Sequence, residues 1–264
     1  MGSYDYEALR VDIADQIAVV TLDRPDVGNA VNETLHGEIG DVFYELSVDE
    51  AVSAIVLTGA GDTFCSGGNA NDLILAEPGD FNYEWMQKMR RLVTALLEVD
   101  QPVIAALNGD AVGVGATIAL YCDLIIASDT ASIYDPHVTK EGIAAGDGGF
   151  LMWAMQLGMP RAKYHLLTGA RLSAPDAAAA GLINEALPAG EVLPRAMGLA
   201  RQLADGPGLA IRSTKRILNK VIELLGAGTL EYAGEKERVT LYSADFKEAV
   251  TAQVEGRSPT FENR

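Results

Sequence analysis

Residues 102–128 read PVIAALNGDAVGVGATIALYCDLIIAS, and this stretch decides the fold class. Val103–Leu107 and Leu124–Ser128 are short and largely apolar, which is typical of strands that are buried on both faces of a sheet. Between them, the glycine-rich segment NGDAVGVGA leads into TIALYCD, whose small and apolar residues predict a closely packed helix. A strand, a loop, a helix and a second strand in so few residues indicate an α/β architecture.

Further strands and helices precede this stretch in the same alternating order. The runs IAVVTL (17–22) and AIVLT (54–58) predict two more buried strands, and Asn32 is placed to cap a helix between them. That helix has one apolar face, formed by Leu35, Ile39, Val42, Phe43 and Leu46. A second amphipathic helix has expected core positions at Trp85, Met86, Met89, Leu92, Val93, Leu96 and Leu97.

From about residue 160 onward, helical patterns replace the alternation of strands and helices. Helices are predicted over residues 160–168, 175–180, 191–204, 207–225 and 229–255. Pro207 and Gly208 interrupt the pattern between two of them. We therefore expect an α/β core over residues 1–200 and a helical region over residues 201–264.

Composition and charge limit the classes of partner. The 264 residues include 20 basic and 37 acidic side chains, so the net charge of −17 makes nucleic acid an unfavourable partner. No apolar run approaches the roughly 20 residues of a membrane span, and the first residues carry no apolar signal region. We expect a soluble, cytoplasmic protein in which Cys65 and Cys122 are buried, reduced thiols.

Two glycine-rich loops each follow a predicted strand: FCSGGNAND at 64–72 and NGDAVGVGA at 108–116. Glycine lets the backbone approach a ligand closely, and two converging N–H groups can form an oxyanion hole for negative charge on a carbonyl oxygen. Phosphate loops fit poorly, because GxxxxGK[ST] is absent and the third glycine of GxGxxG is replaced by Ile118. Each loop taken alone is equally consistent with a structural turn.

Residues 134–149, YDPHVTKEGIAAGDGG, contain the candidate acid–base groups His137, Glu141 and Asp147. Histidine titrates near neutral pH and can act as an acid or a base. Alternatively, His137 is a hydrogen-bonded structural residue, Asp147 caps a helix or turn, and Glu141 is solvated. His36 and His165 fall on predicted helices and are expected to be structural.

In order and with their neighbours, these segments resemble the crotonase (enoyl-CoA hydratase/isomerase) superfamily. The resemblance covers nearly the whole chain and includes VTLDRPDVGNAV, IVLTGAGDTFCSGGNANDL, residues 102–128, GIAAGDGG and LLTGARLSAPDAAAAGLINEALP. It implies a core of ββα units arranged as a spiral, followed by a C-terminal helical region used for trimerisation. It also implies an acyl-CoA substrate, a thioester enolate as intermediate, and a homotrimer or a dimer of trimers.

The resemblance assigns binding roles to individual residues. The backbone N–H groups of Gly68, in SGGN, and Val114, in AVGVG where the family usually has ALGGG, would form the oxyanion hole. Coenzyme A would lie along Arg24 and beside Gly68, Asn69 and Ala70, with Arg257 replacing a C-terminal lysine. The resemblance implies no cofactor beyond the coenzyme A of the substrate, and no metal.

The two glutamates that perform acid–base chemistry in related hydratases are both missing. Thr117 stands at the place of the first, where a hydroxyl can hold a water but is too weakly acidic to be its base. At the second place the chain reads Pro136–His137, or Val138 when counted back from GIAAGDGG, because the segment holds about one extra residue. The acid–base group is therefore expected to be His137, then Asp147, with Glu141 in reserve.

Three functions stay open at this level. The first is an acyl-CoA enzyme of the hydratase/isomerase type with altered acid–base residues. The second is a hydrolase of the same fold, in which His137 and Asp147 promote retro-Claisen C–C cleavage or thioester cleavage. The third is a protein that binds CoA esters and catalyses no reaction.

Overall fold

The computed structural model describes residues 4–68 and 83–262, with side chains omitted at 83–86 and 89. Its main sheet contains the strands β1 (Leu9–Ala14), β2 (Ile17–Leu22), β3 (Ala54–Gly59), β4 (Val103–Leu107), β6 (Leu124–Ser128) and β9 (Glu185–Leu187), in the order β1-β2-β3-β4-β6-β9. The first pair is antiparallel and all later pairs are parallel. A second, three-stranded sheet contains β5 (Ala111–Val112), β7 (Ser132–Tyr134) and β8 (Leu172–Ser173).

Helices cover both faces of the main sheet. Those in the described residues are α1 (Glu33–Val48), α2 (Tyr83–Glu98), α3 (Val114–Leu120), α4 (Gly149–Leu157), α5 (Met159–Thr168), α6 (Ala174–Ala180), α7 (Ala189–Ala204), α8 (Gly208–Gly226), α9 (Thr229–Thr240) and α10 (Ala244–Glu255). Pro25–Val27 forms a 3-10 turn and His137–Glu141 a π-helical turn. None of these helices is long and apolar enough to cross a bilayer.

The central strands bury both of their faces, which explains their continuous apolar sequences. Along β3, Ile55 and Leu57 belong to the large core shared with α1, α2 and α3. Val56, on the opposite face, packs in a second core that includes Ala196 and Ala200 of α7. This alternation has the period of two that a strand requires.

Most long elements predicted from the sequence are confirmed. Strands β2, β4 and β6 have the expected bounds, and the Asn32 side chain accepts a hydrogen bond from the Leu35 N–H at the start of α1. All five apolar positions of α1 are buried, as are Leu92, Val93, Leu96 and Leu97 of α2. The side chains of Trp85, Met86 and Met89 lie outside the described part. Cys65 and Cys122 are buried free thiols.

One predicted helix is wrong as a continuous element. Residues 229–255 form two helices, because α9 ends at Thr240 and Ser243 caps α10 by accepting a hydrogen bond from the Phe246 N–H. Five strands and one helix are not predicted from the sequence: β1, β5, β7, β8, β9 and α4. The division into an α/β core over residues 1–200 and a helical region over residues 201–264 stays a prediction, because no feature of the fold tests where that boundary lies.

Candidate active site

The two glycine-rich loops lie side by side. The Cys65 N–H donates to the Asp110 carbonyl at 3.1 Å, and the Val112 N–H donates to the Cys65 carbonyl at 3.0 Å. Gly115 makes this contact close, since a Cβ there would stand 2.6 Å from the Cys65 Cβ and 2.7 Å from its carbonyl oxygen. The missing side chain therefore lets α3 begin directly against the 65–68 segment.

The expected oxyanion-hole residues lie in this pair of loops. Val114 is the first residue of α3, and the N–H groups of a first helical turn have no acceptor within their own helix. Gly113, immediately before it, has a φ of 51°, which is in the region that favours glycine. Gly68 is paired with Val31 through a parallel bridge. No atom of a described residue lies within 4 Å of the place where a Cβ of Gly68 would stand.

His137 forms a buried dyad with Asp135. The Nδ1 of His137 lies 2.7 Å from Asp135 Oδ1, and the His137 backbone N–H donates to the same oxygen at 3.0 Å. The residues are 7% and 1% exposed, respectively. Burial alone would lower the pKa of His137, but the charges of Asp135 and Glu141 and the hydrogen bond that Asp135 accepts raise it well above its ordinary value.

The imidazole of His137 lies at the start of α3. A Cβ on Gly113 would stand 3.7 Å from His137 Cε1 and 3.9 Å from Nε2. Because Nδ1 is hydrogen-bonded to Asp135, Nε2 is the ring nitrogen that can transfer a proton at the end of the glycine-rich loop. Glu141, one turn along the π-helical segment, approaches Nε2 with its Oε2 at 3.9 Å.

Asp147 is held by Thr117 and by a helix start. The Thr117 hydroxyl donates to Asp147 Oδ2 at 2.7 Å, and the Gly149 N–H donates to Oδ1 at 3.1 Å. Burial raises the pKa of Asp147, although the His137 charge and the Thr117 hydrogen bond act in the opposite direction. Thr117 thus lies in the site, and its hydroxyl hydrogen is engaged by a carboxylate.

The sequence analysis missed two residues of this cluster. Asp135 could have been found from its position two residues before His137, a spacing at which an aspartate often accepts from the backbone. Glu237 had no local signal, because it lies on α9, far along the chain. It is 5% exposed, and burial raises its pKa to about 8, with His137 lowering it and the charges of Asp147, Asp135 and Glu141 raising it.

Hydrogen bonds favour proton transfer over metal binding in this cluster. Asp135, His137 and Asp147 have atoms of metal-ligand type within 4.8 Å of one another. However, Asp135 Oδ1 is held by His137, and Asp147 by Thr117 and Gly149. The acid–base role expected for His137 and Asp147 and the expectation that the protein needs no metal both stay predictions.

The residues expected to bind coenzyme A are only partly described. Arg24 donates from its guanidinium to the Ala30 carbonyl, next to the bridge between Val31 and Gly68. Arg257 is engaged by Glu248 and by Glu255, at 2.9 and 2.6 Å. A phosphate would therefore have to compete with two carboxylates for Arg257. Asn69 and Ala70 lie outside the described residues.

The other two histidines lie apart from the dyad. His165 has its Nδ1 2.9 Å from the Ala170 carbonyl and stacks on Trp153 with ring centroids 5.5 Å apart. His36 lies on α1, and burial lowers its pKa to about 4. The contacts of His165 and the burial of His36 fit a structural role, which stays a prediction for both residues.

Solved structures with the same fold define the class of protein. The chain matches the crystal structure of an enoyl-CoA hydratase/isomerase from Mycobacterium paratuberculosis with a TM-score of 0.89 and 33% identity, over 94% of this chain and 99% of that one. It matches a carnitinyl-CoA hydratase from Mycobacterium avium with a TM-score of 0.85 and 33% identity, over 98% and 100% of the two chains. The protein therefore has the crotonase fold, as its sequence indicated.

Sequence comparison then gives the family. A family model described as enoyl-CoA hydratase/isomerase matches residues 12–264. A probable enoyl-CoA hydratase of Mycobacterium leprae is 30% identical over 260 residues, which cover 98% of this chain and 99% of the relative. This protein belongs to the enoyl-CoA hydratase/isomerase family, and it is an acyl-CoA enzyme of that type.

Proposed function

We propose that this enzyme adds water to a 2-enoyl-CoA thioester, with His137, supported by Asp135, and Asp147 replacing the usual pair of glutamates. The observation that carries the proposal is the 2.7 Å contact between Asp135 and His137, with Nε2 at the start of α3 and 3.9 Å from Glu141 Oε2. The thioester carbonyl would accept hydrogen bonds from the Gly68 and Val114 N–H groups. These donors would stabilise the enolate that forms when the β-carbon is attacked.

The directions of the pKa shifts assign the two proton transfers. Asp147 has a raised pKa, which makes its carboxylate a stronger base, and it takes a proton from the water as the oxygen bonds to the β-carbon. The pKa of His137 is also raised, which favours its imidazolium form, and His137 gives a proton to the α-carbon. The enzyme returns to its starting state when Asp147 passes its proton to His137 directly or through solvent.

The coenzyme A part of the substrate would lie along Arg24 and the segment at Gly68, Asn69 and Ala70. Arg257 is the candidate for a phosphate contact from the C-terminal region, on the condition that it leaves its two glutamates. Coenzyme A enters and leaves as part of the substrate, and the chemistry proposed here needs no further cofactor.

A hydrolase is the second candidate, and the same dyad favours it. A histidine held by an aspartate can activate water for attack on a carbonyl carbon, with an enolate or a thiolate as leaving group. This reaction needs neutral His137 as base, and the raised pKa disfavours that state at neutral pH. The raised pKa of His137 therefore ranks hydration first.

Incubation with 2-enoyl-CoA esters and β-diketones in oxygen-18 water tests the proposal. Hydration predicts loss of the enone absorbance, one oxygen-18 in a 3-hydroxyacyl-CoA and no free thiol. A labelled carboxylic acid would instead identify hydrolysis. Binding of CoA esters with no turnover of any member of the panel would leave only the non-catalytic function.

A further inference from the structure

Glu237 is a buried carboxyl group on a helix whose other acidic side chains face solvent. Helix α9 also carries Glu231 and Glu235, which are both exposed, whereas Glu237 is 5% exposed. A carboxyl group is almost never fully buried without a partner, because its charged form loses hydration. Among the described residues, Glu237 makes no ion pair with lysine or arginine. Its position therefore calls for a functional explanation.

Helix α9 is docked on the segment that leads to Asp147. The Ala144 N–H donates to Thr240 Oγ1 at 2.9 Å. A Cβ on Gly146 would stand 2.4 Å from the Ala233 carbonyl oxygen and 2.6 Å from the Glu237 Cβ. Two contacts on either side of Glu237 thus fix this side chain against the residue next to Asp147.

The charged groups that act on the pKa of Glu237 are those of the acid–base site. They are His137 and Glu141 on the π-helical turn, Asp135 after β7, and Asp147 before α4. Lys140, on the same turn, acts on Glu141. His137 is thus the one cationic group in this set that acts on the pKa of Glu237. In addition, Asp135 Oδ2 is buried with no hydrogen-bond partner among the described residues.

We propose that Glu237 is a positioning residue of the acid–base site, through which a helix of the C-terminal region controls the protonation of His137. This inference rests on the proposed role of His137 and adds a residue that does not touch the substrate. When Glu237 is neutral, the dyad can exchange protons with three neighbouring carboxyl groups, those of Glu141, Asp147 and Glu237. When Glu237 loses its proton, the added negative charge holds the proton of His137 more strongly.

The pH at which this happens follows from burial. Because the pKa of Glu237 is raised to about 8, the group is mostly neutral at pH 7 and becomes charged in mildly alkaline solution. His137 then stays protonated to a higher pH than it would beside a neutral group. Since His137 is the proposed acid, Glu237 extends the active pH range on its alkaline side.

The test is a titration of the His137 ring by NMR in the wild type, Glu237→Gln and Glu231→Gln. With three histidines in the chain, the His137 signal is assigned by its loss in His137→Gln. We expect the midpoint to fall by about one pH unit, or about tenfold in protonation constant, in Glu237→Gln. Glu231→Gln removes a carboxyl group from the exposed side of the same helix and should leave the midpoint unchanged.

Equal midpoints in the wild type and Glu237→Gln would overturn the proposal, as would an equal shift in Glu231→Gln. Glu237→Met, of similar size and uncharged, gives the same comparison if the glutamine variant does not fold. The alkaline limb of kcat/KM should move with the NMR midpoint. Because the NMR titration needs no turnover, a failure of the proposed hydration leaves this test intact.

Discussion

Asp135 accepts two hydrogen bonds from one residue, the ring and the backbone N–H of His137. This arrangement fixes the ring orientation and places the ring nitrogen Nε2 at the start of α3. It also supplies the charge that stabilises the imidazolium ion. A single buried aspartate thus fixes the ring of the proposed acid and is the first of the charges that raise its pKa.

Asp135→Asn removes the charge and keeps the size of the side chain. We expect kcat/KM to fall by about 100-fold or more, which is the range for loss of an acid–base group. The alkaline limb of the pH profile should move to lower pH, because the carboxylate that raises the pKa of His137 is gone. Steady-state kinetics from pH 5 to 10 measure both effects. Asp129→Asn, at an exposed position, is the control, and a similar loss in both variants would contradict the assigned role.

Thr117→Val removes the hydroxyl that donates to Asp147 and changes the volume little. The pKa of Asp147 should rise further, since this hydrogen bond lowers it, so the acid limb of kcat/KM moves to higher pH. At the optimum we expect a loss of about 10-fold. Thr58→Val removes another buried hydroxyl, which donates to the Ala106 carbonyl. An acid limb that stays in place in Thr117→Val would show that the hydroxyl does not act on Asp147.

At this scale the sequence predicted part of the site. His137 and Asp147 could be chosen because their residue types and glycine-rich surroundings are unusual in a surface loop. Asp135 was next to them but was not recognised, since nothing in the sequence shows that its side chain turns back onto His137. Glu237 could not be found, because helix periodicity does not indicate which segment a helix face will meet.

At the scale of elements, α3 packs closely against the segment that contains Cys65. Gly115→Ala would place a Cβ within 2.7 Å of Cys65 and separate the two glycine-rich loops. We expect a loss of about 1–3 kcal/mol in the free energy of unfolding, with a large loss of activity. Gly37→Ala, on α1, meets no atom within 4 Å and should instead stabilise the protein by about 0.5–1 kcal/mol. Urea denaturation of both variants measures the contrast, and equal effects would refute this account of α3.

The success of the sequence analysis varied with the length and burial of each element. Strands β2, β4 and β6 were located because strands covered on both faces are continuously apolar. Strands β5 and β8 have two residues each, too few for any periodicity. The break between α9 and α10 was missed because the connecting residues Leu241, Tyr242 and Ser243 include neither glycine nor proline.

For the whole molecule, the feature that bears on assembly is an exposed apolar surface on α8. Its residues are Leu209, Ile217, Leu218, Val221, Leu224 and Leu225, which are 49% to 84% exposed. Apolar surface of this extent usually marks an interface. We expect a trimer or a dimer of trimers in solution. Leu218→Glu places a charge on the apolar surface of α8 and should lower the mass of the assembly in solution. Light scattering measures it, and a wild-type mass of 28.0 kDa, that of one chain, would contradict the prediction.

Buried titratable groups, Glu237 and His137, make the free energy of unfolding depend on pH. Glu237 has a raised pKa, so between about pH 4.5 and its folded value near 8 the native state holds more protons than the unfolded state. Stability should therefore fall as pH rises through this window, and His137, whose pKa is also raised, adds to the loss at higher pH. Melting temperatures from pH 5 to 9 should decrease less in Glu237→Gln than in the wild type. Parallel curves would rule out this contribution of Glu237.

The docking of α9 on residues 144–146 also has a consequence for synthesis of the chain. Glu237 leaves the ribosome roughly 100 residues after His137, which corresponds to about 5–20 seconds at ordinary rates of translation. During that interval a nascent chain can contain Asp135, His137 and Asp147 without the helix that covers them. The acid–base site is therefore completed only after Glu237 has emerged, and a ribosome that stalls before Thr229 leaves the dyad without this carboxyl group.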